Sequence, residues 1–313
     1  MSSGGHRPVM LEEVAETLAP AEHGRYVDAT LGGGSMAEMI LERSSPDGTL
    51  LGLDRDQTAV DGAGQRLARF GPRFRPVQAS FDRLGDIMAE CGWGDGVDGV
   101  LADLGLSSLQ LDDPARGFSF MREGPLDMRM DQGQALSAAT LIAGNDEQGL
   151  ARLLRVYGEE RAGKRIARRI IERRDSGRME TTGDLRQAVL EAGLRGRPGH
   201  DPATRTFQAL RIAANEELAQ LEAFLDEGWQ LLAPAGRMVV ISYHSLEDRL
   251  VKRAFRRWAA DCMCPPEQPV CNCGWTAKVR LLGRRKRKPT ETEVKANPRA
   301  RSAGLRAVVR LED

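Results

Sequence analysis

A run of small residues, Gly32-Gly33-Gly34-Ser35-Met36-Ala37, follows the apolar stretch YVDATL and precedes MAEMILER, whose apolar positions have helical spacing. It fits the pattern G-x-G-x-x-G/A, in which a tight strand-to-helix turn brings backbone N–H groups and a helix N-terminus up to a ligand. Asp54, at the end of the next apolar run GTLLGLDRD, lies 22 residues beyond Gly32, where a ribose-binding carboxylate is expected. The loop alone suits NAD, S-adenosylmethionine, or no ligand at all if it is only a tight turn. Asp28 separates these readings. It stands four residues before Gly32, close to where a dinucleotide would set its pyrophosphate, and two anions there repel. An ammonium and a sulfonium would be attracted instead, so the residues favour S-adenosylmethionine. The plain alternative for Asp28 is a capping or turn carboxylate.

These groups need a sheet to position them. RFRPVQASFDRLG predicts a third strand ending near Phe81, VDGVLADLGLSSLQLDD a fourth ending at Asp103, and GRMVVISYHS a fifth, followed by Tyr243 and His244. In an open α/β sheet the ligand lies beyond the carboxyl ends of the strands, which gathers Asp28, Asp54, Phe81, Asp103 and Tyr243 on one edge. Phe81 can pack on an adenine ring or plug the core. Tyr243 can stack on a flipped base, and His244 can accept a proton or touch phosphate. Against this, Ser245 with Asp248 reads as the S-x-x-D start of a helix, with His244 satisfying a nearby backbone group.

The 313 residues, 41% hydrophobic, suffice for one large or two ordinary domains. No run approaches the roughly 20 apolar residues of a membrane span, and MSSGGHRPVM lacks the apolar core of a signal peptide; a cytoplasmic protein without a membrane partner is expected. The net charge of zero conceals a division. Residues 1–160 carry 14 Lys/Arg against 26 Asp/Glu, a balance of −12, and residues 161–313 carry 31 against 19, a balance of +12. A basic surface for a polyanion beside a more acidic body follows. Two stretches supply it. In GEERAGKRIARRIIERR, Arg161, Lys164, Arg165, Arg168 and Arg169 oppose Ile166 and Ile170 on an amphipathic helix, and Arg284 to Lys288 are five consecutive basic residues in a Pro- and Thr-containing loop before a last strand. LRGRPGHDPATRTF, with His200 exposed, reads as a loop able to order on RNA. Met128 and Met130 can line a ligand, although core packing is the commoner role of methionine.

Cys91 reads as a lone buried thiol, whereas CMCPPEQPVCNC sets Cys262 and Cys264 against Cys271 and Cys273. Four thiolates can close a tetrahedral zinc site, as a structural clip for the basic loop, although C-x-C pairs are less usual than C-x-x-C.

The segments DATLGGGS, LDRD, DLGLSSLQLDDPARGFSFMREGPLDMRMD, YGEERAGKRIARRI, HDPATRTFQALRIAANEEL, ISYHSLEDRLVKR and NPRARSAGLR, in this order, resemble the RsmH (MraW) family from about Pro8 to Arg310. The resemblance implies a Rossmann-like class I methyltransferase α/β sheet with an inserted, mainly helical domain: a discontinuous catalytic domain, 1–108 and 215–313, and an insertion, 109–214, that helps to bind the substrate. It implies S-adenosylmethionine-dependent N4-methylation of a cytosine in the decoding region of 16S ribosomal RNA, acting on small-subunit RNA or on the assembled small subunit. By resemblance, the cofactor positions are Gly34, Ser35, Met36, Asp54, Phe81, Asp103 and Gln110. The chain departs from the family at Ser35-Met36, where Gly-His is usual, which puts side-chain contacts there in question. An exocyclic amine is a poor nucleophile, so transfer needs an acceptor for its N–H. DLGLSS stands where many amino-methyltransferases carry Asn or Asp followed by Pro-Pro-aromatic. Asp103 is therefore expected both to anchor the cofactor and to face the amine, with Ser107 or Ser108 shaping the base pocket and Tyr243 and His244 as further catalytic candidates. A methyltransferase with another acceptor, or a non-catalytic RNA-binding or assembly factor, would leave the basic stretches or the cofactor loop unexplained.

Overall fold

The structure is a computed structural model that describes residues 8–196, 201–226, 228–265, 267–268 and 270–312. MSSGGHR and the His200 segment expected to order on RNA lie outside the described residues. The chain runs through α1 (Leu11–Leu18), β1 (Arg25–Asp28), α2 (Ser35–Arg43), β2 (Thr49–Asp54), α3 (Gln57–Arg66), β3 (Phe74–Gln78), α4 (Leu84–Glu90) and β4 (Val97–Asp103). Six helices follow: α5 (Ser108–Asp112), α6 (Ala138–Gly144), α7 (Glu147–Gly158), α8 (Gly163–Asp175), α9 (Thr182–Glu191) and α10 (Thr204–Asn215). The last part is α11 (Glu217–Asp226), β5 (Leu232–Ser242), α12 (Ser245–Trp258), β6 (Val279–Leu281), α13 (Glu291–Ala296) and β7 (Gly304–Arg310). Contacts divide the chain into two compact units, Met1–Gly105 with Ala219–Asp313, and Leu106–Leu218.

The first unit is a seven-stranded α/β sheet in the order β3-β2-β1-β4-β5-β7-β6. β1 to β5 are parallel, and β7 runs antiparallel to both of its neighbours. Strands covered on both faces read as nearly continuous apolar runs, as in Val100-Leu101-Ala102 and Met238 to Ile241, all buried. On one face Leu18, Met36, Ile40, Ala63 and Leu67 pack from α1, α2 and the α3 region. On the other, Leu84, Ile87, Phe224, Val251, Phe255 and Trp258 pack from α4, α11 and α12. The strand order reverses between β1 and β4, and that reversal point is where an open sheet of this kind opens to a ligand.

The third strand is shorter than its sequence predicts. Its ladder closes when the Ala79 N–H donates to the Asp54 carbonyl at 2.9 Å. Phe81 then opens a 3-10 turn, Phe81–Arg83, beyond the strand.

The second unit is helical, closed around Leu150, Leu154, Ile166, Ile170, Leu185, Phe207 and Leu210. α8 is amphipathic as its sequence predicts: Ile166 and Ile170 are wholly buried, and Lys164, Arg165, Arg168 and Arg169 are exposed. Met128 packs inside this core with no exposed surface, and Met130 packs against it, so both serve packing within their unit.

The loop between β1 and α2 depends on Gly34, whose φ of 76° sets the left-handed turn into the helix. An added Cβ would stand 3.2 Å from Ala63 Cβ and 3.2 Å from Leu67 Cδ1. Gly34→Ala should therefore cost about 1–2 kcal/mol, from the left-handed conformation and the crowding together. Chemical denaturation checks this; an unchanged midpoint would show that the turn relaxes.

Candidate active site

The ladder register brings three carboxyls to one edge. Asp28 is level with Gly52 of β2 and Leu101 of β4, so Asp54 and Asp103 stand two residues further along on either side. Asp28 is almost wholly buried, with 1% of its surface exposed. Its Oδ1 accepts the Thr30 N–H at 3.2 Å, and its Oδ2 is buried without a partner. Burial, with Asp103 and Asp54 adding repulsion, pushes the Asp28 carboxyl up to about 7. Asp54 is also raised by burial, although it accepts the Gly32 N–H at 2.8 Å and the Asp56 N–H at 2.9 Å. Asp103 is pushed up to about 7 by burial, opposed by the hydrogen bond from Tyr243 and reinforced by Glu247. None of the three forms an ion pair among the described residues. Their arrangement is short of positive charge, which fits a cationic ligand and opposes a pyrophosphate.

The loop resolves the departure at Ser35-Met36. The left-handed positions are Gly32 (φ 48°) and Gly34, and Ser35 is already the first residue of α2, so serine carries no strain there. Its hydroxyl accepts from Arg66 at 2.9 Å, and Arg66 also donates to the Gly33 carbonyl and pairs with Glu38. Met36 is buried in the core. What this stretch offers a ligand is the backbone N–H groups of the first turn of α2, which have no intrahelical acceptor.

At the other side of the edge, the Tyr243 hydroxyl donates to Asp103 Oδ1 at 2.9 Å. Burial and the adjacent carboxylate raise the Tyr243 pKa far above its ordinary value, so it remains a donor. Thr30 ties the two strand ends together, its Oγ1 accepting the Asp103 N–H at 2.6 Å. The helix start differs from expectation by one residue. His244, not Ser245, caps α12, its Nδ1 accepting the Glu247 N–H at 3.4 Å. Glu247 in turn accepts the N–H groups of Tyr243 at 2.8 Å and His244 at 3.2 Å. His244 Nε2 lies 3.0 Å from Glu247 Oε1 but without hydrogen-bond geometry. Thr30 and Glu247 are the positioning groups that motif reading passed over. The H-x-x-E spacing signals Glu247, and only the register of β1 with β4 could have signalled Thr30.

Phe81 packs edge-on against Phe224 of α11, with ring centroids 5.5 Å apart, and remains partly exposed. Gln110 belongs to the helical unit. It is buried there and closes a capping box with Ser107 at the start of α5, accepting the Ser107 N–H at 3.1 Å. Ser108 is buried in the same turn. The run Arg284 to Lys288 divides. Lys286 pairs with Asp248, Arg287 with Glu16, and Lys288 donates to the Ala303 carbonyl. Arg284 and Arg285 line a cleft with Lys252, Arg256 and Arg287, and Lys252, Arg256, Arg284 and Arg285 form no ion pair among the described residues.

The raised Asp28 carboxyl has a stability consequence. Its folded pKa, about 7, exceeds its ordinary value of 3.8, so the native state holds the proton more tightly than the unfolded chain. The resulting penalty grows as pH rises from about 4 to 7 and is constant above. Asp28→Asn should accordingly raise stability by about 1–3 kcal/mol at pH 8 and by much less at pH 5. Thermal unfolding of the ligand-free protein at the two pH values checks this; an equal effect at both would place the ionisation elsewhere.

The sequence profile of the MraW methylase family matches residues 3–311. A protein named ribosomal RNA small subunit methyltransferase H from Symbiobacterium thermophilum is 49% identical over 310 residues, covering 98% of this chain and 97% of its own. Its namesake from Geobacter sulfurreducens is 52% identical over 308 residues, covering 98% and 99%. An rRNA methylase structure from Streptococcus thermophilus aligns with a TM-score of 0.39 at 11% identity, covering 99% of this chain and 100% of its own. With a profile match and near-half identity across essentially its whole length, this chain belongs to the MraW methylase family.

Proposed function

We propose that the protein transfers a methyl group from S-adenosylmethionine to the exocyclic N4 of a cytosine in the decoding region of small-subunit 16S ribosomal RNA, acting in the cytoplasm. The observation that carries this reading is the set of Asp28, Asp54 and Asp103, converging at the strand edge without a protein cation and with Asp28 Oδ2 unpartnered. The relatives named small subunit methyltransferase H support the acceptor.

When bound, S-adenosylmethionine supplies an electrophilic methyl on a sulfonium. The residues of the chain perform the remaining tasks. Gly32, Gly34 and the first N–H groups of α2 form the cradle, with Ser35 and Met36 contributing backbone. Asp54, already fixed by backbone donors that include the Gly32 and Asp56 N–H groups, accepts from the ribose hydroxyls. Phe81 offers a ring face to the adenine. Asp28 balances the cationic end of the ligand. Asp103, its Oδ1 held by Tyr243, turns Oδ2 to the cytosine amine and polarises an N–H as the nitrogen attacks. A carboxyl near 7 is suited to take up the amine proton afterwards. His244 is occupied as the cap of α12, and the reading gives it a positioning role for Tyr243.

RNA contact rests on two exposed basic sets. Arg161, Lys164 and Arg165 in and beside α8 form no ion pair among the described residues, nor do Lys252, Arg256, Arg284 and Arg285 at the cleft of the first unit. Phosphate contact releases counterions.

Labelled methyl transfer to small subunits lacking the modification, and separately to RNA extracted from them, followed by nucleoside mass spectrometry, tests the whole reading. N4-methylcytosine at one site is the expected product, and the comparison identifies the substrate form. No transfer despite cofactor binding would point to a binding role. In the same assay Asp103→Ala should lower turnover at saturating cofactor by about a hundredfold; a loss that merely follows cofactor affinity would leave Asp103 as an anchor alone. RNA affinity should fall steeply with salt, and Arg284→Ala combined with Arg285→Ala should flatten the log–log slope by about 2. An unchanged slope would remove the cleft from the interface.

A further inference from the structure

Between the end of α12 and β6 the chain makes an excursion that none of these roles uses. Its described apolar side chains do not form a core: Met263 is 43% exposed and Val270 73% exposed. Two ties close its base, the Trp275 Nε1–H donating to the Ala260 carbonyl at 2.9 Å and the Lys278 N–H to the Trp258 carbonyl at 2.7 Å. At its tip, Gln268 Nε2 donates to the Val270 carbonyl at 2.9 Å and to Asn272 Oδ1 at 2.8 Å, which turns the two arms toward each other.

That turn brings four sulfurs together. Cys262 Sγ lies 3.4 Å from Cys271 Sγ and 3.8 Å from Cys273 Sγ, Cys271 and Cys273 are 3.6 Å apart, and Cys264 and Cys271 are 3.9 Å apart. All four fall within 4.8 Å of one another. A tetrahedron with Zn–S bonds of about 2.3 Å has S···S edges of about 3.8 Å, so the group is close to the size of a mononuclear tetrathiolate site. Two backbone donors face the sulfurs, Cys264 N–H to Cys262 Sγ and Met263 N–H to Cys273 Sγ, both at 3.3 Å. Such donors stabilise negative charge on sulfur and orient it. The same C-x-C spacing that is unusual in sequence presents two sulfurs from each arm.

We propose that Cys262, Cys264, Cys271 and Cys273 hold one zinc ion as four thiolates. Binding displaces the four thiol protons to solvent, and no electrons are exchanged. With four protein ligands the site has no open position, so its work is structural. It closes a segment too small to fold on buried apolar surface, and it braces the entry to β6 and hence to Arg284 and Arg285.

The test uses the full chain purified under reducing conditions without a histidine tag, with metal content measured before and after dialysis against EDTA. About one zinc per chain is expected, falling to about a tenth or less when Cys264→Ser and Cys271→Ser are combined. Cobalt titrated into the metal-free wild type should give the thiolate charge-transfer and intense d–d bands of a tetrahedral site, a readout that stands even if the variant folds poorly. S-adenosylmethionine affinity should stay within about twofold in the double variant, because the ion acts away from the carboxylate edge. Four freely reactive thiols with neither zinc nor cobalt binding would overturn the proposal, as would one iron per chain or two disulfides in the freshly isolated protein.

Discussion

A carboxyl buried beside two others is an expensive thing to build, and the sheet is arranged around that expense. Raising Asp28 from 3.8 to about 7 corresponds to roughly 4 kcal/mol of unfavourable environment for the ionised form. A protein gains nothing from this on folding alone, since a neutral side chain would pack there without penalty. The penalty is offset only by a partner that brings positive charge, and the strand register ensures that Asp54 and Asp103 share the task. On electrostatic grounds, negative charge preorganised at a reversal point favours a cation there over a pyrophosphate.

The second constraint is rigidity beside that edge. Thr30 fastens β1 to β4, Tyr243 fastens β5 to Asp103, and Glu247 fastens the turn after β5 through two N–H groups. Each anchor spans a different pair of elements. A displacement of Asp103 would need to break contacts on two sides at once, which holds its carboxyl in one place.

Much of this was legible in the residues. The glycine loop, the continuous apolar runs of the parallel strands and the 22-residue spacing to Asp54 are local signals, and they located the loop, β1, β2 and the carboxyl edge. What was illegible depends on partners distant in sequence. Phe81 was read as the end of the third strand, but the ladder of β3 closes two residues earlier, where the Ala79 N–H donates to the last carbonyl of β2 at Asp54. The cap of α12 fell on His244 because Glu247 sits at the third helical position and reaches back to the turn, a choice that Ser245 and Asp248 conceal in sequence. The five-residue basic run looked uniform, yet Asp248, Glu16 and the Ala303 carbonyl, all from remote elements, engage three of its members. The departure at Ser35-Met36 could be judged only once the left-handed positions were found at Gly32 and Gly34, which leave Ser35 as the first residue of α2.

The position of β7 bears on how such a chain is made. β7 follows the other six strands of the sheet in sequence, yet it lies inside the sheet between β5 and β6. Until it arrives, the strand that leads to Tyr243 presents Met238 to Ile241 with one side of its backbone unpaired. An open apolar edge of that kind recruits strands from other chains. A chain in which β7 has yet to join the sheet is thus exposed to aggregation at the strand that leads to Tyr243.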